Sequence, residues 1–132
     1  MEQAVFNFEG YSFTQIELDF RSADSGSLKL EIDPSGVFHK ADKLYTLTFD
    51  FLAKEEVSGR TVVHVSCVAR FRLSCELLPD YFYANSIAIV FPYVRALVST
   101  LSLQANVGSP IVIPTLNLSS LRDRLIAETQ ID

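Results

Sequence analysis

The stretch from Asn85 to Asn117, NSIAIVFPYVRALVSTLSLQANVGSPIVIPTLN, decides how the rest of this sequence is interpreted. It predicts one long apolar helix from about Asn85 to Gln104, followed by a loop rich in Gly, Ser and Pro. Arg95 is the only charged residue in this predicted helix. A helix that is apolar nearly all round is typical of burial on several sides. We therefore expect one side to pack on the chain's own sheet and another to contact a partner chain.

Pro92 lies inside this predicted helix. A proline within a helix removes one backbone hydrogen bond and clashes with the preceding turn. Either the regular helix begins near Phe91, with Pro92 in its first turn, or it begins earlier and bends at Pro92. We expect the longer, kinked helix.

Four stretches before the helix alternate apolar and polar residues with period two, which predicts four β-strands. The first changes parity around Gly10, which predicts a β-bulge there. The second ends at Pro34, Ser35 and Gly36, and the fourth places apolar residues at its odd positions from Thr61 to Cys75. The stretches run over residues 5–20, 28–33, 44–51 and 61–75.

A second, shorter helix is predicted after the loop, from Leu121 to Thr129, with Ser119 and Ser120 as capping residues. Strands followed by helices are typical of the α+β class. The sequence thus predicts a single domain over residues 1–132, a four-stranded antiparallel sheet with a long and a short C-terminal helix on one face.

Composition and charge exclude several classes of protein. The net charge of −5 disfavours nucleic-acid binding, and the N-terminus lacks the basic and apolar regions of a signal peptide. No apolar run reaches the roughly 18 residues that span a bilayer. These features predict a cytoplasmic protein. Cys67 and Cys75 lie too far apart along one predicted strand for a disulfide, so we expect two free thiols that pack as small core residues.

The sequence carries no recognisable catalytic or metal-binding pattern. Its two histidines, His39 and His64, belong to no cluster with metal-ligand spacing, and His64 falls on the polar side of its strand. There is no glycine-rich phosphate loop and no nucleophile-elbow motif. We therefore expect no enzyme activity, no metal and no cofactor.

The segment from Asn85 to Leu121 resembles the C-terminal half of SecB-like protein-export chaperones. Phe91-Pro92-Tyr93-Val94-Arg95 is similar to the family's Phe-Pro-Tyr-Ala-Arg helix motif. Ile113, Pro114, Asn117 and Leu118 are similar to its Leu-x-Pro-x-Asn-Phe motif, with one shift in spacing, and Leu121 matches the leucine that opens the last helix. Before Asn85, only the order of four strands fits the family.

The sequence also departs from the family. The loop Val107-Gly108-Ser109-Pro110-Ile111 stands where the family has a Gly-Phe-Pro-Pro-like loop. The acidic strand that docks the export ATPase in the family has only a loose match, Glu17 and Asp19. The resemblance therefore implies the fold more strongly than the partner, and a general chaperone, one dedicated to a toxin–antitoxin pair and a divergent relative all stay open.

The resemblance implies an ATP-independent holdase, assembled as a homotetramer that is a dimer of dimers. Its partners would be unfolded polypeptides, either preproteins delivered to the export ATPase SecA or an antitoxin of a toxin–antitoxin pair. Glu17 and Asp19 are the candidate docking residues. The candidate client-binding residues are Tyr81, Phe82, Tyr83, Phe91, Tyr93, Ile111 and Ile113.

Other interpretations fit the same residues. Aromatic residues between a strand and a helix are typical of a plain core. A carrier that encloses a small apolar ligand between sheet and helix, and a non-catalytic structural oligomer, are the alternative functions.

Overall fold

A computed structural model describes residues 5–20, 28–105 and 117–132 of the chain. The fold is α+β, as the sequence predicted. The elements in chain order are β1 (Phe6–Leu18), β2 (Leu28–His39), β3 (Leu44–Glu55), β4 (Thr61–Leu73), α1 (Phe82–Gln104), α2 (Leu118–Ala127) and β5 (Thr129–Ile131).

The sheet is mixed and has five strands, in the order β1-β4-β3-β2-β5, where four antiparallel strands were predicted. The four predicted strands are present and pair antiparallel, but β5 adds to β2 in parallel. Its backbone joins β2 through Gly36 N to Glu128 O and Asp132 N to Phe38 O. Three residues directly after a helix are too short to show period two, so the sequence pattern could not reveal this strand.

The core lies between the sheet and α1. On β4 the predicted alternation is confirmed from Val63 to Leu73, where every odd residue is buried. The odd residues of β3 are buried on the same face. On α1 the buried residues include a row spaced by four, which forms one stripe inclined to the helix axis on the side that faces the sheet. This row consists of Phe82, Ser86, Val90, Val94, Val98 and Ser102.

Helix α1 begins three residues earlier than predicted and continues through Pro92. Pro92 and Ala88, whose carbonyl loses its helical partner to the proline, are both exposed, so that carbonyl faces solvent. Within the part of the chain that the structure describes, α1 is also long and apolar enough to cross a membrane by length and composition. This corrects the expectation from the sequence, although core helices of soluble proteins pass the same test and α1 buries one side on the sheet.

Strand β2 runs through Pro34, Ser35 and Gly36, where the sequence predicted its end. The amide of Gly36 points away from β3, toward β5, and position 34 shares that direction. Because β5 pairs with β2 only from Gly36 onward, the missing N–H of Pro34 costs no sheet hydrogen bond.

Strand β1 contains two register shifts, one between Phe8 and Gly10 and one between Phe13 and Gln15. The first confirms the predicted bulge, and Gly10 adopts a φ of 135° that favours glycine. Each bulge changes parity, so the apolar residues of β1 all share the face that α1 covers. These residues are Phe6, Phe8, Tyr11, Phe13, Ile16 and Leu18.

Helix α2 starts at Leu118, and its capping residue is Asn117 rather than a serine. The Asn117 side chain accepts a hydrogen bond from the backbone N–H of Ser120 at 3.1 Å. Leu121 and Leu125 are buried, and α2 packs against α1 and β2.

The two thiols are free, as predicted, but lie in different environments. Cys67 is fully buried, and burial raises the pKa of its thiol to about 11. Cys75 lies beyond the end of β4 and is exposed, so the prediction that it packs in the core is wrong.

Thiol titration checks this difference. At pH 8 the Cys67 thiol is almost entirely protonated and out of reach of solvent, whereas Cys75 reacts freely. We expect a disulfide reagent to label one thiol in the native protein and two after denaturation. Cys75→Ser should abolish native labelling, and two rapidly labelled native thiols would contradict the placement of Cys67.

A charge on the inner face of β4 should unfold the domain. Val65 is fully buried, so Val65→Asp places an unpaired carboxylate in the core, at a cost of several kcal/mol against a typical stability of about 5–15 kcal/mol. Thr46→Asp is the control, because Thr46 lies on the outer face of β3 opposite Arg70. Urea unfolding followed by circular dichroism measures both, and equal losses would contradict the face assignment.

Candidate functional site

Phe82, one of the predicted client-binding residues, is in the core. Its exposed fraction is 0%, and its ring centroid lies 5.0 Å from that of Phe6, 4.8 Å from Tyr45 and 5.5 Å from Phe71. Edge-to-face packing of this kind fixes the start of α1 on the sheet. Phe82 thus contributes to the position of the helix rather than to its surface.

Phe91 is also buried, with 8% of its surface exposed. Its ring lies 6.2 Å from Phe49 on β3. The guanidinium carbon of Arg95 stands 5.3 Å above the same ring, a cation–π contact that keeps the single charge of α1 against the helix. Phe91 therefore packs between Phe49 of the sheet and the guanidinium of Arg95.

Tyr81 and Tyr83 lie at the beginning of α1. Tyr81 precedes the helix and is half exposed, whereas Tyr83 is partly buried beside Phe82. Burial raises the pKa of Tyr83, and the nearby Asp80 carboxylate adds to that rise. Ile111 and Ile113 fall outside the residues that the structure describes.

Tyr93 lies elsewhere, over β1. Its ring stacks on Tyr11 with a centroid distance of 4.2 Å and an interplanar angle of 26°, and it lies 6.0 Å from Phe8. Tyr83 and Tyr93 are ten residues apart, about 15 Å along a helix. The structure therefore divides the predicted set between the start of α1, the core and β1.

An exposed apolar surface extends from Tyr93 along β1, and we name it the β1–α1 surface. Exposed fractions are 39% for Tyr11, 46% for Ile16, 37% for Leu18 and 38% for Tyr93. Among the described residues β1 is the last strand on its side of the sheet, so this surface ends at the edge of the described sheet. Its members are the exposed residues Tyr11, Ile16, Leu18 and Tyr93, together with Phe8 and Phe13, which are partly buried against the core.

Sequence reasoning missed most of this surface. The alternation in β1 marked Tyr11, Ile16 and Leu18 as apolar, but alternation does not show which strand lies at an edge. The signal that could have raised the question is the change of parity at Gly10, since bulges are common in edge strands.

The two candidate docking residues differ in their surroundings. Asp19 lies 3.1 Å from the Arg60 guanidinium, which also contacts Glu55 at 2.8 Å, so Asp19 helps to hold the β3–β4 turn. Glu17 is more exposed, accepts a hydrogen bond from Gln15 at 2.8 Å and lies 3.9 Å from Nδ1 of His64. Of the two, Glu17 presents its carboxylate more openly to solvent.

A serine, a histidine and an aspartate meet on the outer face of the sheet. The Ser66 hydroxyl donates to the Asp50 carboxylate, and His64 Nε2 lies 3.1 Å from the same carboxylate. In a catalytic triad the hydroxyl contacts the imidazole, so this order does not activate Ser66 as a nucleophile. Over residues 5–20, 28–105 and 117–132, no group of three His, Cys, Asp or Glu side chains could hold a metal ion.

One open cleft borders β2 and α2. It has a largely charged lining, which differs from the apolar enclosure that the carrier alternative requires. Arg124 donates to the carbonyl of Ile32 there at 2.6 Å. The lining residues are Lys29, Leu30, Glu31, Ile32, Asp33 and Arg124.

The fold is similar to that of the SecB-like chaperone Rv1957 of Mycobacterium tuberculosis, solved in complex with a ChAD peptide from the Rv1956 HigA1 antitoxin. The TM-score is 0.69, the identity is 13%, and the superposition covers 85% of this chain and 88% of that chain. At this identity the likeness shows the fold, including the SecB-like arrangement of sheet and helices.

Sequence comparison gives a shorter match. A stretch of 37 residues is 49% identical to the uncharacterized protein MJ0357 of Methanocaldococcus jannaschii. The match covers 28% of this chain and 23% of that protein, so it spans about a quarter of the relative's length. No family model matches the sequence.

Alanine substitution of Phe82 and of Tyr93 should show that the first ring belongs to the core and the second to the surface. Phe82→Ala removes a fully buried ring and should cost about 3–5 kcal/mol of unfolding free energy. Tyr93→Ala removes one half-exposed stacking partner and should cost about 1 kcal/mol. Urea titrations of both variants provide the measurement, and similar losses would show that the two rings do not differ in burial.

Proposed function

We propose that this protein is an ATP-independent holdase that binds non-native polypeptides on its β1–α1 surface. The proposal includes assembly into a homotetramer, a dimer of dimers, in the cytoplasm. Two classes of client fit it, namely preproteins for export and an antitoxin. The observation that carries the proposal is the exposed apolar surface on a SecB-like fold.

The chemistry of the surface suits a chain with many different sequences. Tyr11 and Tyr93 offer stacked ring faces together with hydroxyl groups, while Ile16 and Leu18 offer aliphatic area. Apolar burial is non-directional, so such a surface accepts varied side chains without a fixed hydrogen-bond pattern. The structural neighbour, which has the same fold, binds a peptide from an antitoxin, and this supports a polypeptide ligand.

The remaining candidate residues have graded roles in this proposal. Tyr81 and Tyr83 would offer a second apolar contact at the start of α1. Ile111 and Ile113 stay proposed client-binding residues, and they lie outside the described residues. Phe82 and Phe91 act indirectly, because their burial fixes the helix that carries Tyr93.

Assembly and docking complete the proposal. The outer side of α1 carries mostly small or apolar side chains, such as Ala88, Pro92 and Ala96, with Arg95 as its one charge, and it would form the contact between dimers. Glu17 would be the more accessible point for an export ATPase, since Asp19 is engaged with Arg60.

The test is suppression of aggregation of a chemically unfolded model protein. Tyr11→Ala with Tyr93→Ala removes two anchors of about 2 kcal/mol each, so client binding should weaken well over tenfold. Client binding by the wild-type protein should need no nucleotide. It should persist in about 0.5 M salt, because apolar burial is insensitive to screening. Circular dichroism confirms that the variant remains folded.

The matched control is Val57→Ala with Leu77→Ala. Both side chains are exposed, at 88% and 75%, and lie outside the β1–α1 surface, so client holding should stay at the wild-type level. Wild-type protein without effect on aggregation would refute the holdase. Equal weakening by both double variants would show that general hydrophobicity, not this surface, binds clients.

A further inference from the structure

His64 stands between two carboxylates on the outer face of the sheet, the face opposite α1. Its Nε2 lies 3.1 Å from Oδ1 and 3.2 Å from Oδ2 of Asp50 on β3. Its Nδ1 lies 3.9 Å from Oε2 of Glu17 on β1. One imidazole on β4 therefore connects the edge strand β1 with β3.

Both carboxylates are oriented by a neighbouring side chain. The Ser66 hydroxyl donates to Oδ1 of Asp50, which fixes this carboxylate beside the imidazole. Gln15 Nε2 donates to Oε1 of Glu17 at 2.8 Å and leaves Oε2 facing the imidazole. The ring thus meets two acceptors whose positions other residues already set.

The other charged groups of this region contact one another. On the β1 side, Asp19 lies 3.1 Å from the guanidinium of Arg60. On the β2 side, Glu31 is one strand further from His64 and lies 3.8 Å from both Lys29 and Lys54. Both helices contribute to the core on the opposite face, so the carboxylates that face the imidazole come from β1 and β3.

A neutral imidazole cannot donate to both carboxylates. It carries one N–H, whereas the charged imidazole carries two. Because Nε2 is the nitrogen within hydrogen-bond distance of a carboxylate, we assign the proton of the neutral ring to Nε2, which donates to Asp50. The lone pair of Nδ1 then points at the Glu17 carboxylate. Protonation replaces this lone pair with an N–H and converts the repulsion into an ion pair.

We propose that His64 and Glu17 form a proton-controlled latch for the C-terminal part of β1. The latch is closed when the imidazole is charged and donates to Glu17, and it is open when the imidazole is neutral. Histidine changes its charge between about pH 5 and 8, where carboxylates stay ionised. Arg60 stays charged over this range, so its contact with Asp19 is a permanent second attachment of the same strand end.

The latch acts on a segment that carries two members of the β1–α1 surface. Ile16 and Leu18 flank Glu17 in sequence, and both are exposed. The second bulge, between Phe13 and Gln15, separates this segment from the rest of β1, so the segment can open locally while the rest stays paired. Closure at low pH therefore stabilises the strand end that presents Ile16 and Leu18, a consequence for client binding that rests on the proposed function.

Hydrogen exchange at the end of β1 tests the latch. The N–H of Asp19 donates to Val62 O at 2.9 Å and reports pairing at this end, whereas the N–H of Ser74 donates to Val5 O and reports the other end. Glu17→Gln removes the charge on which the latch closes. At about pH 5.5 this variant should exchange the Asp19 N–H about two- to fivefold faster than wild type, the effect of a partly exposed ion pair. At about pH 8 the two rates should agree, and exchange of the Ser74 N–H should not change at either pH.

His39 provides the matched control, because its Nδ1 contacts a single carboxylate, that of Asp132, at 2.9 Å. His39→Gln should leave exchange of the Asp19 N–H unchanged at both pH values. His64→Gln keeps a donor for Asp50 but cannot be charged, so it should match Glu17→Gln at about pH 5.5. The double variant of His64 and Glu17 should add no further effect, because both substitutions remove the same contact.

Two results would overturn the latch. One is an effect of Glu17→Gln on the Asp19 N–H that is absent at about pH 5.5 or equal at both pH values. The other is full additivity of the His64 and Glu17 substitutions. Exchange is measured without a client, so either result leaves the holdase function standing, and a wild-type protein that fails to suppress aggregation leaves the latch standing.

Discussion

The burial of α1 on the face formed by β3 and β4 is the interaction on which the other elements depend. One stripe of α1 is buried against the sheet and includes Phe82, Val90, Val94 and Val98. Full burial of such a side chain contributes about 1.5–3 kcal/mol, so this stripe exceeds any surface contact described above. The same packing places Tyr93 over β1, where its ring stacks on Tyr11. The exposed aromatic surface is thus a consequence of how the core packs.

A second contact ties the C-terminal elements to this core. The Tyr45 hydroxyl lies 2.7 Å from the Thr129 hydroxyl, and Thr129 in turn donates to the carbonyl of Leu125 in α2. Burial raises the pKa of Tyr45, so the phenol stays neutral and able to donate. Its ring passes directly over Gly36, where any Cβ would overlap the phenol. A glycine in mid-strand, which weakens a strand in general, is required here by the neighbouring side chain.

The sequence predicted the elements of this fold that have a periodic or local sequence pattern. Four strands with period two, the bulge at Gly10 and one long helix through Pro92 all follow from local patterns, and the structure confirms them. The sequence pattern could not predict β5, because a strand of three residues is defined only by its backbone pairing with β2. The order of strands was also beyond reach, because alternation in β1 is the same whether the strand is central or at an edge.

The candidate site was predicted only in part, because local sequence patterns do not show which side chains are buried by distant segments. Phe82 and Tyr93 are aromatic residues of one helix, and composition treats them alike. Their difference in burial depends on which side of α1 faces the sheet, which is a property of packing between distant segments. Tyr11 could not be predicted as a site residue, because its exposure follows from the position of β1 at the edge of the described sheet.

The strand order also fixes when β1 can be completed during folding. Strands β2, β3 and β4 are sequential hairpins joined by short turns, whereas Phe6 at the start of β1 pairs with Leu73 at the end of β4. Non-local pairing of this kind must overcome loop-closure entropy first and is slow. As the chain emerges from the ribosome, β1 therefore waits for β4 before it has a neighbour in the sheet. Its backbone stays unpaired for longer than that of any other of the four antiparallel strands.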